Sequence, residues 1–126
     1  MNDLAVFRIG YDRAKWLAAR VAVVSANVAN ADTPGYRAKD ISPFGSVLND
    51  ARIQMARSQA SHLAPDQTIE ARYGVSPRAG AIEKHSGNSV SLETEMAVLG
   101  ETKSQQSSVT AILGAFHRML LSSTRG

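Results

Sequence analysis

His62, His85 and His117, with the acids Glu83, Glu93, Glu95 and Glu101, are the residues whose types suit metal binding or proton transfer. A helical metal site needs ligands three or four residues apart on one face. His85 and His117 have no His, Asp or Glu at such a spacing; His62 has Asp66 four residues on, but Pro65 between them breaks a helical turn, and Glu83 with His85 are only two apart. Serines are abundant, but no Gly-x-Ser-x-Gly elbow marks one as a nucleophile. No Gly-x-x-x-x-Gly-Lys or Gly-x-Gly-x-x-Gly loop is present to cradle a phosphate. The chain has 0 cysteines, so a disulfide, a thiolate nucleophile and a Cys-based metal site are excluded. Glu93, Glu95 and Glu101 are not matched by a second acidic helix as in a di-iron bundle, and read as a solvated face. We therefore expect no catalytic residue, no metal, no cofactor and no enzymatic activity.

One stretch remains, SANVANADTPGYRAKD from Ser25 to Asp40. Pro34 pushes Thr33 out of the helical region, and Pro34-Gly35 suits the central positions of a type II turn. A helix entering this stretch must end by about Ala31 or Asp32. Asn27 and Asn30, three apart, lie near one face of its last turns, where their amides can bond exposed carbonyls or reach a neighbouring chain. The plain reading is helix termination. The sharper one is a polar joint, Asn27, Asn30, Thr33, Pro34, Gly35 and Tyr36, that sets how a neighbour docks.

The elements on either side are helical. Positions 4, 7, 11, 14, 18, 21, 25 and 28 alternate spacings of three and four and carry Leu, Phe, Tyr, Ala, Ala, Val, Ser and Val, which predicts one helix from Leu4 to Asn30. Leu17 and Val24 widen this stripe, while Arg8, Asp12, Arg13, Lys15 and Arg20 fall off it. The helix would be roughly 40 Å long. A second helix is predicted from Leu92 to Ser122, after the breaker Gly87-Asn88. Ser91 is its N-cap, and Glu93 and Glu95 complement its dipole. Its apolar positions are Leu92, Met96, Leu99, Val109, Leu113, Phe116 and Leu120. Between them, the heptad continued from Leu99 places Lys103 and Gln106 on the seam. Val109 then follows Gln106 by three where four is due, the irregularity of a stammer.

The middle, Ile41 to Ser86, holds Pro43, Pro65 and Pro77 and sustains neither period. Val47 to Ala60 allows a short helix and Thr68 to Val75 a short strand or hairpin arm; the remainder reads as irregular and partly disordered. With 126 residues, 44% hydrophobic and 6% aromatic, the chain supports one modest core. Net charge +3 is spread among acids rather than gathered into a run, so neither a nucleic acid nor a small-molecule substrate is expected as partner. Met1-Asn2-Asp3-Leu4 lacks the basic and apolar regions of a cleaved secretory signal.

SANVANADTPGYRAKDI, Ser25 to Ile41, resembles the signature of the flagellar rod, hook and hook-associated axial family, in which a long helix ends in Asn-x-x-Asn-x-x-Thr-Pro-Gly-Tyr. GNSVSLETEMA, Gly87 to Ala97, is similar to that family's Gly-Asn-x-Val-x-Leu-x-x-Glu-Met block, and ARSQASHL, Ala56 to Leu63, to a shared segment ending in His and an aliphatic residue. Short length favours its proximal rod members. Ser91 stands where an acid is common, and Ser104 and Gln106 where bulkier residues are usual. The resemblance implies a mainly α fold, with the terminal helices pairing as a coiled-coil-like α-domain made of residues 1–31 and 87–126, and residues 32–86 as turn motif and middle segment. It implies subunit packing through Leu4, Phe7, Tyr11, Leu17, Val21, Val24 and Val28 facing Leu92, Met96, Leu99, Val109, Leu113, Phe116 and Leu120. Implied partners are further copies, other rod subunits, the rod-base adaptor, the MS ring and the flagellar type III export apparatus. The implied place is a rod spanning the periplasm, and the implied role is a torque-bearing structural subunit needed for motility. The alternative is a small helical adaptor or export chaperone that never polymerises.

Overall fold

The computed structural model describes residues 2–57 and 68–124. His62 and most of the Ala56 to Leu63 segment therefore lie outside the described residues, as do the last three positions of the helix expected over Val47 to Ala60. In chain order the elements are α1 (Asn2–Ala29), β1 (Lys39–Ile41), α2 (Phe44–Arg57), α3 (Ile69–Tyr73), β2 (Val75–Pro77) and α4 (Leu92–Thr124). The protein is mainly helical, with the long helices α1 and α4 packed antiparallel along each other.

The α1 face turned to α4 differs from the stripe that apolar periodicity selects. Leu17 and Val24 are fully buried, Phe7 meets Phe116 edge to face at 5.6 Å, and Gly10 lies against Leu113 so closely that a Cβ would sit 2.5 Å from its Cδ2. Phe7, Gly10, Arg13, Leu17, Arg20, Val24 and Asn27 are the inward positions. Leu4, Tyr11, Ala18 and Ser25 are exposed. Arg13 and Arg20, which the pattern set outside, are half-buried because each finds a partner: Arg13 donates to Gln105 Oε1 at 3.0 Å, and Arg20 forms a forked pair with Asp40. Burial, then the charge of Arg20, lowers the affinity of the Arg13 guanidinium for its proton.

On α4 the inward heptad is unbroken: Glu95, Thr102, Val109 and Phe116, seven apart, with Leu113 and Leu120 beside it. No stammer occurs, and Lys103 is exposed. The irregular step arises because two seam residues are polar. Thr102 is buried by returning its hydroxyl to Val98 O at 2.6 Å, and Glu95 is buried by partners from other elements. Leu92 and Met96, expected on the seam, are about half exposed.

The middle segment covers one half of the helix pair. β1 and β2 form an antiparallel ladder in the register Lys39↔Pro77, Asp40↔Ser76, Ile41↔Val75. Within the window expected as an extended arm, Thr68 caps a helical turn by accepting from Ala71 N, and Gly74 at φ +65 ends it, so the strand begins only at Val75. The core is Trp16, Leu17, Ala19, Ile41 and Tyr73, with Phe44, Val47, Ile69, Val75 and Val109 against it. Trp16, absent from the predicted stripe, donates its indole N–H to Ser42 O at 2.9 Å and packs on Phe44. Burying its ring contributes about 2–3 kcal/mol.

Candidate functional site

Helix α1 stops at Ala29 because its last carbonyls are taken up locally. Asn30 donates its side-chain amide to Ala26 O at 2.8 Å, and its Oδ1 accepts the Thr33 hydroxyl at 3.2 Å. The chain then turns through Thr33-Pro34-Gly35-Tyr36. Tyr36 N donates to Thr33 O at 3.2 Å, and Gly35 takes φ +73, the third-position conformation of a type II turn.

The segment Gly87 to Val90, which precedes α4, packs directly onto this turn. Gly35 N donates to Ser86 O at 3.0 Å, Ser89 N to Tyr36 O at 3.0 Å, and Ala38 N to Ser89 Oγ at 2.9 Å. Gly87 adopts φ +77, and a Cβ on it would lie 3.3 Å from Gly35 Cα, so the two loops meet through glycine backbones. Buried Asn88 donates to Asn30 O at 2.9 Å and to Thr33 O at 2.7 Å, while its Oδ1 accepts Val90 N at 2.7 Å. One side chain thus closes the end of α1 and orients the entry to α4.

Asn27 holds the centre. It is fully buried, and its amide pairs with both backbone groups of one residue: Nδ2 donates to Lys39 O at 2.7 Å and Oδ1 accepts Lys39 N at 3.0 Å. It acts as a peptide edge laid beside β1. Nδ2 also reaches Glu95 Oε2 at 2.9 Å, and the Tyr36 hydroxyl donates to Oδ1 at 3.4 Å. Glu95, read from sequence as part of a solvated face, is only 1% exposed. Its charge is met by Arg78 at 3.0 Å, and Arg78 also lies 3.6 Å from Asp40, which Arg20 grips in turn. The chain Arg20, Asp40, Arg78, Glu95, Asn27 links α1, β1, the segment after β2 and the first turn of α4. Buried charges need such compensation, since isolated they would neutralise or unfold the site.

The other expected packing residues divide. Phe7, Val21, Val28, Leu99, Val109, Leu113, Phe116 and Leu120 are partly buried along the helix pair, whereas Leu4, Tyr11, Leu92 and Met96 face outward. His85, His117, Glu93 and Glu101 are exposed. Among the described residues no three His, Asp or Glu converge as metal ligands. Sequence reasoning missed Arg78, Ser89 and Asp40 as members of the joint. Asp40 and Ser89 lie within the two stretches that carry the resemblance, whereas nothing in the sequence marks Arg78.

The geometry is thus a polar joint where both long helices meet, and comparison with known proteins falls on the same residues. The family model described as flagella basal body rod protein matches residues 7–37, which is α1 from Phe7 onward and its closing turn. Flagellar basal body rod protein FlgB of Agrobacterium fabrum is 36% identical over 126 aligned residues, covering 96% of this chain and 93% of that protein. FlgB of Bacillus subtilis is 27% identical over 100 residues, covering 77% of this chain and 76% of its own length. A long helix closed by Asn27, Asn30 and the Thr-Pro-Gly-Tyr turn, and likeness to a FlgB protein along nearly all its length, lead to one conclusion: the chain belongs to the FlgB family of flagellar basal body rod proteins, structural subunits of the rod.

Proposed function

We propose that the chain is a proximal rod subunit that assembles with further copies and with neighbouring rod subunits through its terminal helices, and so carries motor torque during motility. The observation that supports this is the apolar surface left open at one end of the helix pair. Leu4, Val6 and Ile9 on α1, with Ile112, Met119 and Leu121 on α4, are all exposed, beyond the half that the hairpin, α2 and α3 cover. A helix apolar on more than one face is buried in its working state. The joint holds the two helices in one register, so this surface is offered in a fixed shape. On this reading residues 1–31 and 87–126 form the packing α-domain and residues 32–86 its outer part. The partners are the rod-base adaptor, the MS ring and other rod subunits, reached after export through the flagellar type III apparatus, in a rod crossing the periplasm.

The test uses exposed positions, because Leu17 and Val24 are buried within the chain and an Asp there would unfold it. Leu4→Asp, Ile9→Asp and Met119→Asp should change monomer stability by less than about 0.5 kcal/mol. Combined, they should abolish swimming in soft agar while export into the medium continues. Motile cells would refute the reading. Absence of the chain from purified basal bodies would favour a non-polymerising adaptor or export chaperone.

A further inference from the structure

Beside the core, α1 and α3 leave an open cleft of 370 Å³ lined by Lys15, Ala18, Ala19, Ile69, Arg72 and Tyr73. Its floor is apolar, and exposed Ala18 presents only a methyl group beside buried Ala19, so an incoming helix can approach closely. Its rim carries two cations. The Lys15 ammonium lies 4.5 Å from the Tyr11 ring and the Arg72 guanidinium 5.6 Å from the Tyr73 ring. Among the described residues neither joins an ion pair. Such a cleft suits an apolar ridge carrying a carboxylate.

The chain itself presents that ridge. Leu92 and Met96 are 51% and 54% exposed on the first turns of α4, four apart and therefore on one face, with exposed Glu93 beside them. Glu95 is consumed by the joint and Glu83 is held by Arg37, but among the described residues Glu93 makes no ion pair. An acid flanked by two half-exposed aliphatic side chains has the opposite charge and the same apolar character as the cleft.

We propose that the first turns of α4 of one copy dock into the α1–α3 cleft of a second copy, with Glu93 between Lys15 and Arg72, and with Leu92 and Met96 on Ala18 and Ile69. This rests on the reading of the chain as a self-assembling rod subunit and names one of its contacts. Ridge and cleft are different patches, so the contact is heterologous: each copy leaves one of each free, and repetition generates a helical row rather than a closed dimer. Asn27 is level with Glu95 and Gly10 with Leu113. The cleft therefore lies some ten residues, roughly 15 Å, along the axis from the ridge. Copies with parallel long axes are staggered by that distance.

Because the chain has 0 cysteines, introduced thiols are unique. In cells making the Ala18→Cys/Met96→Cys variant, mild oxidation before basal-body purification should give a ladder of cross-linked copies that neither single variant gives. Lys15→Glu with Arg72→Glu should lower the cross-link yield more than about tenfold through like-charge repulsion, and adding Glu93→Arg should restore it. In the free monomer, Ala18→Cys should react readily with a thiol reagent. Basal bodies that contain the chain but give no ladder, failure of the charge exchange to restore it, or a protected thiol in the monomer each overturn the docking and leave the rod reading standing. Absence of the chain from basal bodies overturns that reading and the docking with it.

Discussion

Replacing Asn27 by Asp exchanges one amide nitrogen for an oxygen and adds no volume, yet it should be among the most damaging changes available to this chain. The nitrogen lost is the donor to Lys39 O and to Glu95 Oε2. The oxygen gained stands 2.9 Å from a buried carboxylate. At an effective dielectric of about 20, two unit charges at that distance repel by about 6 kcal/mol. Arg78 at 3.0 Å from Glu95, the Lys39 N–H and the Tyr36 hydroxyl all face the pair and offset part of it. The net cost is about 3–5 kcal/mol, the range for breaking a buried charged contact. A domain of this size has only about 5–15 kcal/mol in hand. The melting temperature of the purified monomer, followed by circular dichroism at neutral pH, should fall by roughly 15 °C. Adding Glu95→Gln moves the negative charge from one partner to the other and restores a donor between them, although Lys39 O still lacks its donor, so the double variant should recover part of the loss. If Asn27→Asp melts within about 4 °C of the parent, or the double variant is no more stable than the single, the joint is not held by this contact.

Two further changes test the packing on either side of the joint. Gly87→Ala forces a Cβ onto a residue at φ +77 and against Gly35 Cα; it should cost about 1–3 kcal/mol in urea unfolding, and an unchanged midpoint would show that the loops do not meet through glycine backbones. Gly10→Ile fills space already held by Leu113 and should destabilise by about 1–3 kcal/mol, with Leu113→Ala restoring stability in the double variant and failing to do so if the helices pack in another register.

How much of this was legible in the sequence depended on whether the cause was local. The end of α1, the turn at Pro34-Gly35 and the start of α4 at Ser91 follow from neighbouring residues, and the structure places them within a residue or two of expectation. The mainly helical plan was legible for the same reason. The inward face of each long helix was not, because counting apolar residues assumes that inward means apolar. Arg13, Arg20, Asn27, Glu95 and Thr102 face inward on account of partners elsewhere: Gln105, Asp40, Lys39, Arg78 and, for Thr102, its own helix. No window of α1 alone contains that information. Trp16 was missed because the chosen stripe passed beside it, although a lone Trp in a chain with 6% aromatics is a strong candidate for the core. The α3 turn is capped locally, by Thr68 accepting from Ala71 N and Gly74 N–H donating to Glu70 O, but its five residues are too few for a helical period to show in the sequence.

The polar seam also answers why the joint is not simply apolar. The inward residues of both helices repeat every seven, Gly10, Leu17 and Val24 on one and Glu95, Thr102, Val109 and Phe116 on the other. A slip of one heptad, about 10 Å, would set one apolar seam against another at modest cost. It would bring Glu95 level with Arg20, a pairing that charge alone would accept. What forbids it is Asn27, whose amide would stay buried while losing the carboxylate, and Arg78, which cannot follow Glu95 because the ladder of β1 with β2 fixes it beside Asp40. Asn27 would keep Lys39 and Arg78 would keep Asp40, but each would lose its buried contact to the Glu95 carboxylate, at about 1.5–3 kcal/mol apiece, enough to reject the slipped state. A subunit that offers the open end of a two-helix surface to its neighbours needs one stagger of those helices rather than two. The register is therefore set at the closed end, by Asn27 and its partners, some 30 Å along α1 from the apolar surface it aligns.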